Sequence, residues 1–289
     1  MEYIKGLIFG IMIFVITASL ALLAGFDSII FLGYPLIFYS VVFVFLIQWI
    51  IFIPSYYFKT EQYFDLSGGF TFIIVIWLTY YFSNLTGNRS IILIFLVTIW
   101  ALRISLFLFI RIKLIGEDKR FDEIKFSISK YFITWNLQAM WISITLLPVL
   151  VVLTTDSDKP IGLLDIIGLF FWIAGFTIEC VADYQKFNFK KNKANQGNFI
   201  SSGLWSWSRH PNYFGEIVLW IGITLISISV FYVWQWIALV SPIFVILLLT
   251  QISGIPILEK KADEKWGDQV SYLEYKEKTS LLVIKPPRK

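Results

Sequence analysis

The chain has 289 residues, 57% of them hydrophobic and only 15% charged, with a formal net charge of +4 and a mean hydropathy of +0.73. A soluble domain carries about 25% charged residues, and so few charges cannot cover the surface of a water-soluble protein of this size, so the composition points to an integral membrane protein. The lone Cys180 excludes a disulfide within the chain, one cysteine with one histidine (His210) argues against a zinc centre, and no basic tract is dense enough for nucleic acid.

In chain order, apolar runs long enough for a bilayer-spanning helix, about 20 residues, lie near residues 3–24, 31–53, 70–84, 90–112, 133–153, 161–181, 213–232 and 235–255. The third is short, and the last has break points at Gly254 and Pro256. The first is longer than a signal-peptide core and is followed by further spans, so it reads as a true span. The fold class is therefore all-α: a polytopic bundle of about eight transmembrane helices, within a range of seven to ten, in one domain over 1–289. Twenty of the 24 lysines and arginines fall on the side shared by the two termini; Arg89 and Lys159 fall on the other, and Arg103 and Arg111 lie inside the fourth span. That bias places both termini in the cytoplasm. Stretches 113–131, 182–212 and 256–289 are the long cytoplasmic segments, so chemistry is expected there. The opposite loops look too short to build a site.

Polar residues gather at a few places. GLWSWSRHPNYFGE (203–216) precedes the seventh span. Pro211 suits the first turn of a helix, whose free N–H groups favour an anion. Arg209 adds a planar fork for phosphate, His210 and Asn212 add polar atoms, and Glu216 lies one turn inside the apolar helix; the bland alternative is an interfacial cap with Arg209 reaching lipid phosphates. Glu179, Asp183, Lys186 and Lys190 form one helical stripe leaving the sixth span. The two acids can accept bonds from an amide or ribose and the two lysines can hold phosphates, or all four can form a ladder of helical ion pairs. Arg103 and Arg111 occur in WALRISLFLFIRIK, where an intramembrane arginine is either functional or snorkelling. Asp65, in EQYFDLSGGFTF (61–72), precedes the third span and reads as a substrate partner or a helix cap. The tail 259–286 carries Trp266, Tyr272, Leu273, Tyr275 and Leu281 among its charges, which suits a segment packed on the protein rather than a disordered one.

Taken together, GLWSWSRHPNYFGE, GFTIECVADYQKFNFKKNKANQGNFISSG, FDLSGGFTF, LRISLFLFIRIKLIGEDKRFDEI and the tail resemble the bacterial DUF1295 proteins, which share the steroid 5-alpha-reductase C-terminal domain and are related to sterol reductases and isoprenylcysteine carboxyl methyltransferases. The resemblance covers residues 60–286. It implies an NADPH-dependent oxidoreductase of the bacterial inner (plasma) membrane that delivers hydride to a double bond of a lipid-soluble, steroid-, sterol- or isoprenoid-like substrate from a cytoplasm-facing site. By family motif it places the cofactor at Asp183, Lys190, Arg209, His210, Asn212, Tyr213 and Glu216, with Arg103 and Arg111 as further phosphate contacts and Tyr275 and Lys278 where the tail closes over the cofactor. Asp65 falls near the acid that polarises a substrate ketone. Trp100 stands near the place of a tyrosine in the steroid enzymes, and Asp65 is shorter than their glutamate, so steroid specificity does not carry over.

Two other readings remain. An S-adenosylmethionine-dependent isoprenylcysteine-type methyltransferase shares the RHP-x-Y element, but the cationic excess favours the reductase. A non-enzymatic lipid-binding or transport protein is disfavoured by polar groups confined to one side and by the lack of a repeat. The partners expected are the bilayer and a hydrophobic small molecule, with neither metal nor nucleic acid.

Overall fold

The structure, a computed structural model, describes residues 2–115, 121–157 and 159–287. Lys119, Arg120, Arg288 and Lys289, counted above for orientation, lie outside the described residues. The chain is an all-α polytopic bundle. Eight helical stretches among the described residues are long and apolar enough to cross a membrane.

The chain divides into two compact units, Met1–Asp165 with Thr224–Ser241, and Ile166–Ile223 with Pro242–Lys289. The first unit is built on α1 (Glu2–Ala24), α2 (Leu36–Tyr57), α3 (Phe64–Ser83), α4 (Asn88–Ile115) and α5 (Ile128–Thr154). Helix α5 is its core. From Ile142 to Thr154 every residue is buried, as expected of a helix that is apolar all round. Polar side chains tie the neighbours together: Gln48 to Thr71 at 2.8 Å, Ser40 to Thr79 at 2.7 Å, Trp49 to Asn136 at 3.1 Å and Gln138 to the Phe64 carbonyl at 2.9 Å. Bonds between helices of this kind replace the hydrophobic drive that lipid cannot supply.

Two expected boundaries shift for identifiable reasons. The second span starts at Leu36 rather than at 31, because Ile30–Phe31 (β1) and Tyr34–Pro35 (β2) form a small antiparallel hairpin turning through Leu32 and Gly33, both at positive φ. The third starts at Phe64 rather than at 70, because Ser67, Gly68 and Gly69 are buried. A side chain at Gly68 would strike Gln138, and one at Gly69 would strike Ser105. Asp65 is thus inside the first turn of α3, not before it, and the cap residue is Tyr63, which makes no side-chain cap bond.

Buried ion pairs close this unit. Lys125 meets Glu61 at 2.9 Å. Arg89 grips both oxygens of Asp165, at 2.7 and 2.9 Å, and donates to the carbonyls of Lys159 and Pro160. The short loops here enclose more than their length suggested: residues from Asn84–Ser90 and Val152–Ile161 line a cavity of about 400 Å³.

The second unit is built on α6 (Leu163–Lys191), α7 (Pro211–Ser227), α8 (Val240–Leu247), α9 (Ile255–Trp266) and α10 (Val270–Lys278). Helices α6 and α7 pack backbone to backbone. A Cβ at Gly175 would lie 2.5 Å from the Gly215 carbonyl, and one at Gly222 would lie 2.6 Å from the Gly168 carbonyl. Small residues of this kind let membrane helices approach closely. The last span is broken: a 3₁₀ stretch precedes α8, a π-helical turn at Leu248–Ile252 follows it, and the chain bends at 253–254 before α9. The break falls at Gly254, one of the two expected points.

Candidate functional site

The segment after α6 folds back on that helix. Gly203 adopts φ +62, and a Cβ there would crowd the Gln185 side chain, whose Oε1 accepts the Leu204 N–H at 3.0 Å. Trp205 is buried and donates to the Ala182 carbonyl at 3.0 Å, while the Lys186 ammonium sits 4.3 Å from its ring centre. The tail then fixes the motif. Arg209 N–H donates to the Ser280 carbonyl at 2.8 Å, Ser208 Oγ donates to the Leu282 carbonyl at 2.7 Å and accepts the His210 N–H at 3.1 Å, and Tyr275 donates to the Trp205 carbonyl at 2.7 Å. Pro211 is the first residue of α7, as expected. The Tyr213 ring stacks on His210 at 5.7 Å.

The centre of the site is a residue that the sequence reading had not assigned. Glu259, in the first turns of α9, receives Arg209 Nη1 on one oxygen and His210 Nε2, at 2.8 Å, on the other. A carboxylate only accepts, so the imidazole donates through Nε2 and keeps Nδ1 as an acceptor. Nδ1 has no hydrogen-bond partner, and neither has Arg209 Nε. Lys276 stands 3.7 Å from Glu259 and 2.6 Å from Asp263, which also accepts the Tyr272 hydroxyl at 3.0 Å. Burial pushes the pKa of His210 down, against the opposing pull of Glu259, and the imidazole is neutral near pH 7. Burial pushes the Tyr272 and Tyr275 phenols up.

Beside this cluster lies a cavity of about 290 Å³. Lys186, Lys190, Lys261, Lys265, Arg209 and His210, with Asn198 and Glu259, supply its polar lining, and Phe199, Trp205, Trp266, Tyr272 and Tyr275 its aromatic walls. Phe199 holds three of those rings at centroid distances of 5.9, 5.2 and 5.3 Å.

Five of the proposed ligand-binding residues therefore line one space: Lys186, Lys190, Arg209, His210 and Tyr275. Glu179 and Asp183 are buried on α6, and Asn212, Tyr213 and Glu216 are half-buried in the first turns of α7. Lys278 ends α10, exposed and outside the cavity lining. Asp65, Arg103 and Arg111 belong to the first unit, where all three are half-buried and Arg103 lies over the Phe107 ring. Besides Glu259, the sequence reading left Lys261, Lys265, Lys276 and Asp263 without a role. The visible signal was the return of charge three residues beyond Pro256. Among the described residues no group of His, Cys, Asp or Glu is arranged to hold a metal ion.

Comparison with known proteins places the chain in a family. The model of a family described as "Protein of unknown function (DUF1295)" matches residues 49–279. The chain belongs to that family. The matched region takes in both Arg209 and its partner Glu259, together with all the proposed site residues. Among curated proteins, the chain is similar to "Uncharacterized protein C594.04c" of Schizosaccharomyces pombe, 23% identical over 169 residues, 49% of each chain. It is also similar to "Probable O-methyltransferase ustE" of Ustilaginoidea virens, 33% identical over 76 residues, 24% of this chain and 27% of that protein. The chain thus spans about half the length of the first and about a quarter of the second. No solved structure matches.

Proposed function

We propose that this family member is a membrane-embedded, NADPH-dependent reductase acting on a double bond of a lipid-soluble substrate. The observation that carries this reading is the cavity beside Arg209, which combines five cationic side chains with aromatic walls. The donor set fits a phosphorylated dinucleotide. Lysines and an arginine suit phosphates, rings suit a stacked base, and the buried Arg209 Nε is a donor without a partner. Lys186, Lys190, Lys261, Lys265 and Arg209 would hold the phosphates, with Tyr275 and Trp266 beside the base. When bound, NADPH supplies the hydride.

The chain's own part is to bind, orient and exclude water. Asn212, Tyr213 and Glu216 lie in the first turns of α7, where Tyr213 stacks on His210, and are assigned to positioning. Asp65, Arg103, Arg111, Glu179, Asp183 and Lys278 are kept as proposed contributors on the resemblance of their motifs, Asp65 as the acid that polarises the acceptor. The lysine and arginine bias supports a cytoplasmic site, and the resemblance of the motifs supports a plasma membrane of bacterial type.

The similarity to the probable O-methyltransferase favours one second reading, an S-adenosylmethionine-dependent methyltransferase of a membrane-embedded acceptor. Melting of the purified full-length protein with each cofactor separates the two, because a ligand of the native state raises the melting temperature. NADPH is expected to raise it and Arg209→Ala to remove the effect. A shift with S-adenosylmethionine and none with NADPH would overturn the reductase reading.

A further inference from the structure

Arg209 and His210 stand beside the cavity but face a carboxylate of the protein itself. Glu259 offers one oxygen to Arg209 Nη1 and the other to His210 Nε2, with all three side chains at least four-fifths buried. A phosphoryl group offers the same pair of oxygen acceptors to a guanidinium and a neighbouring N–H donor. We infer that Glu259 stands in for the ligand's oxyanion and is the specificity-determining residue of the cavity: only a ligand with an anionic phosphoryl group that displaces it gains Arg209 and His210. The inference rests on the reading of the cavity as a site for a phosphorylated cofactor and adds how that site admits its ligand.

Three features of the structure support exchange over a permanent clamp. Arg209 Nε and His210 Nδ1 stay without partners although buried, so Glu259 does not complete the hydrogen bonding of the residues it holds. A released Glu259 carboxylate has a cation close by, since Lys276 already stands 3.7 Å away, on α10. The helix that carries Glu259 also has a place to bend. Helix α9 follows a π-helical turn, a feature frequent at functional sites, and its cap residue Gly254 has φ −86 and ψ −95, outside the helical region. Because α9 also contributes Lys261 and Lys265 to the cavity, withdrawal of Glu259 moves a wall of the site and its charge together.

A site held by its own anion binds ligand with an affinity lowered by the fraction of molecules in the released state. Glutamine keeps the shape of Glu259 and loses the charge that strengthens both bonds. Calorimetric titration of the full-length protein in detergent with inorganic pyrophosphate and, separately, with NADP⁺ tests this. Glu259→Gln is expected to tighten both by about tenfold relative to wild type. Unchanged or weaker pyrophosphate binding in Glu259→Gln, or no binding to either protein, overturns the inference. Weaker NADP⁺ binding also overturns it, because Glu259 is then a contact of the ligand rather than its rival. Tighter pyrophosphate with no NADP⁺ binding to either protein keeps the role of Glu259 and removes the NADPH reading. If the variant does not fold, hydrogen exchange of the wild-type protein decides: pyrophosphate is expected to speed exchange in 255–259, and protection or no change there overturns the inference.

Discussion

Arg89 and Arg209 are both buried arginines paired with a carboxylate, yet they do different things. Arg89 meets both oxygens of Asp165 and two backbone carbonyls, and Asp165 also takes the Gly162 N–H. Arg209 gives one nitrogen to Glu259 and leaves Nε without a partner. Both border cavities, and the larger one, about 400 Å³, belongs to Arg89. Size is therefore a poor guide here: the guanidinium of Arg89 is spent on the fold, whereas that of Arg209 keeps capacity for a ligand. Burial of a charge marks importance, but unfilled hydrogen-bonding capacity beside a cavity marks a site.

The contrast can be broken or sharpened by experiment, starting with the frame that holds each arginine. Gly215→Leu forces a side chain into the backbone of α6, 2.6 Å from the Gly175 carbonyl. Overpacking of this kind costs about 1–3 kcal/mol or more, and loss of a monodisperse peak in detergent is the expected result. Arg89→Met leaves Asp165 as an uncompensated buried charge, a loss of about 3–5 kcal/mol, read as a lower melting temperature with cofactor binding retained by the protein that stays folded. Arg209→Ala is expected to do the reverse, with binding of NADPH weakened at least about tenfold, roughly 1.4 kcal/mol, and a smaller change in melting; equal effects on stability from the two arginines would erase the contrast. Lys190→Ala removes one exposed cation from the cavity rim, and its effect is a severalfold loss of affinity that shrinks as salt rises.

The smallest expected effect is on pH. Burial holds the folded-state pKa of His210 below its unfolded value, about 6.5. The unfolded chain then takes up the proton first as pH falls, so stability is lost progressively below about pH 6.5 and is unaffected above it. Melting curves between pH 8 and pH 5 are expected to show this part of the decline in the wild type and not in His210→Gln.

Much of the fold could be read from residues. Spans near the observed α1, α4 and α5 follow from apolar length, and α7 begins at Pro211 because proline suits a first helical turn. The start of α3 was hidden, since Asp65, Ser67, Gly68 and Gly69 look like a loop until Gln138 and Ser105 are seen packed against them. In the site, Lys186, Lys190, Arg209, His210 and Tyr275 were visible as polar atoms in apolar surroundings and meet at one cavity. Glu259 was not, because one glutamate in a charged tail carries no mark of the arginine it will meet 50 positions away.

Sequence alone determined that this is a multi-helix membrane protein of its family, because hydrophobic length, the order of motifs and proline placement are local properties that survive without a fold. Tertiary structure alone decided which charges are spent and which are held in reserve. Pairing depends on where a bend at Gly254 and a return of the tail through Ser280 bring distant side chains, and no spacing along the chain encodes that meeting.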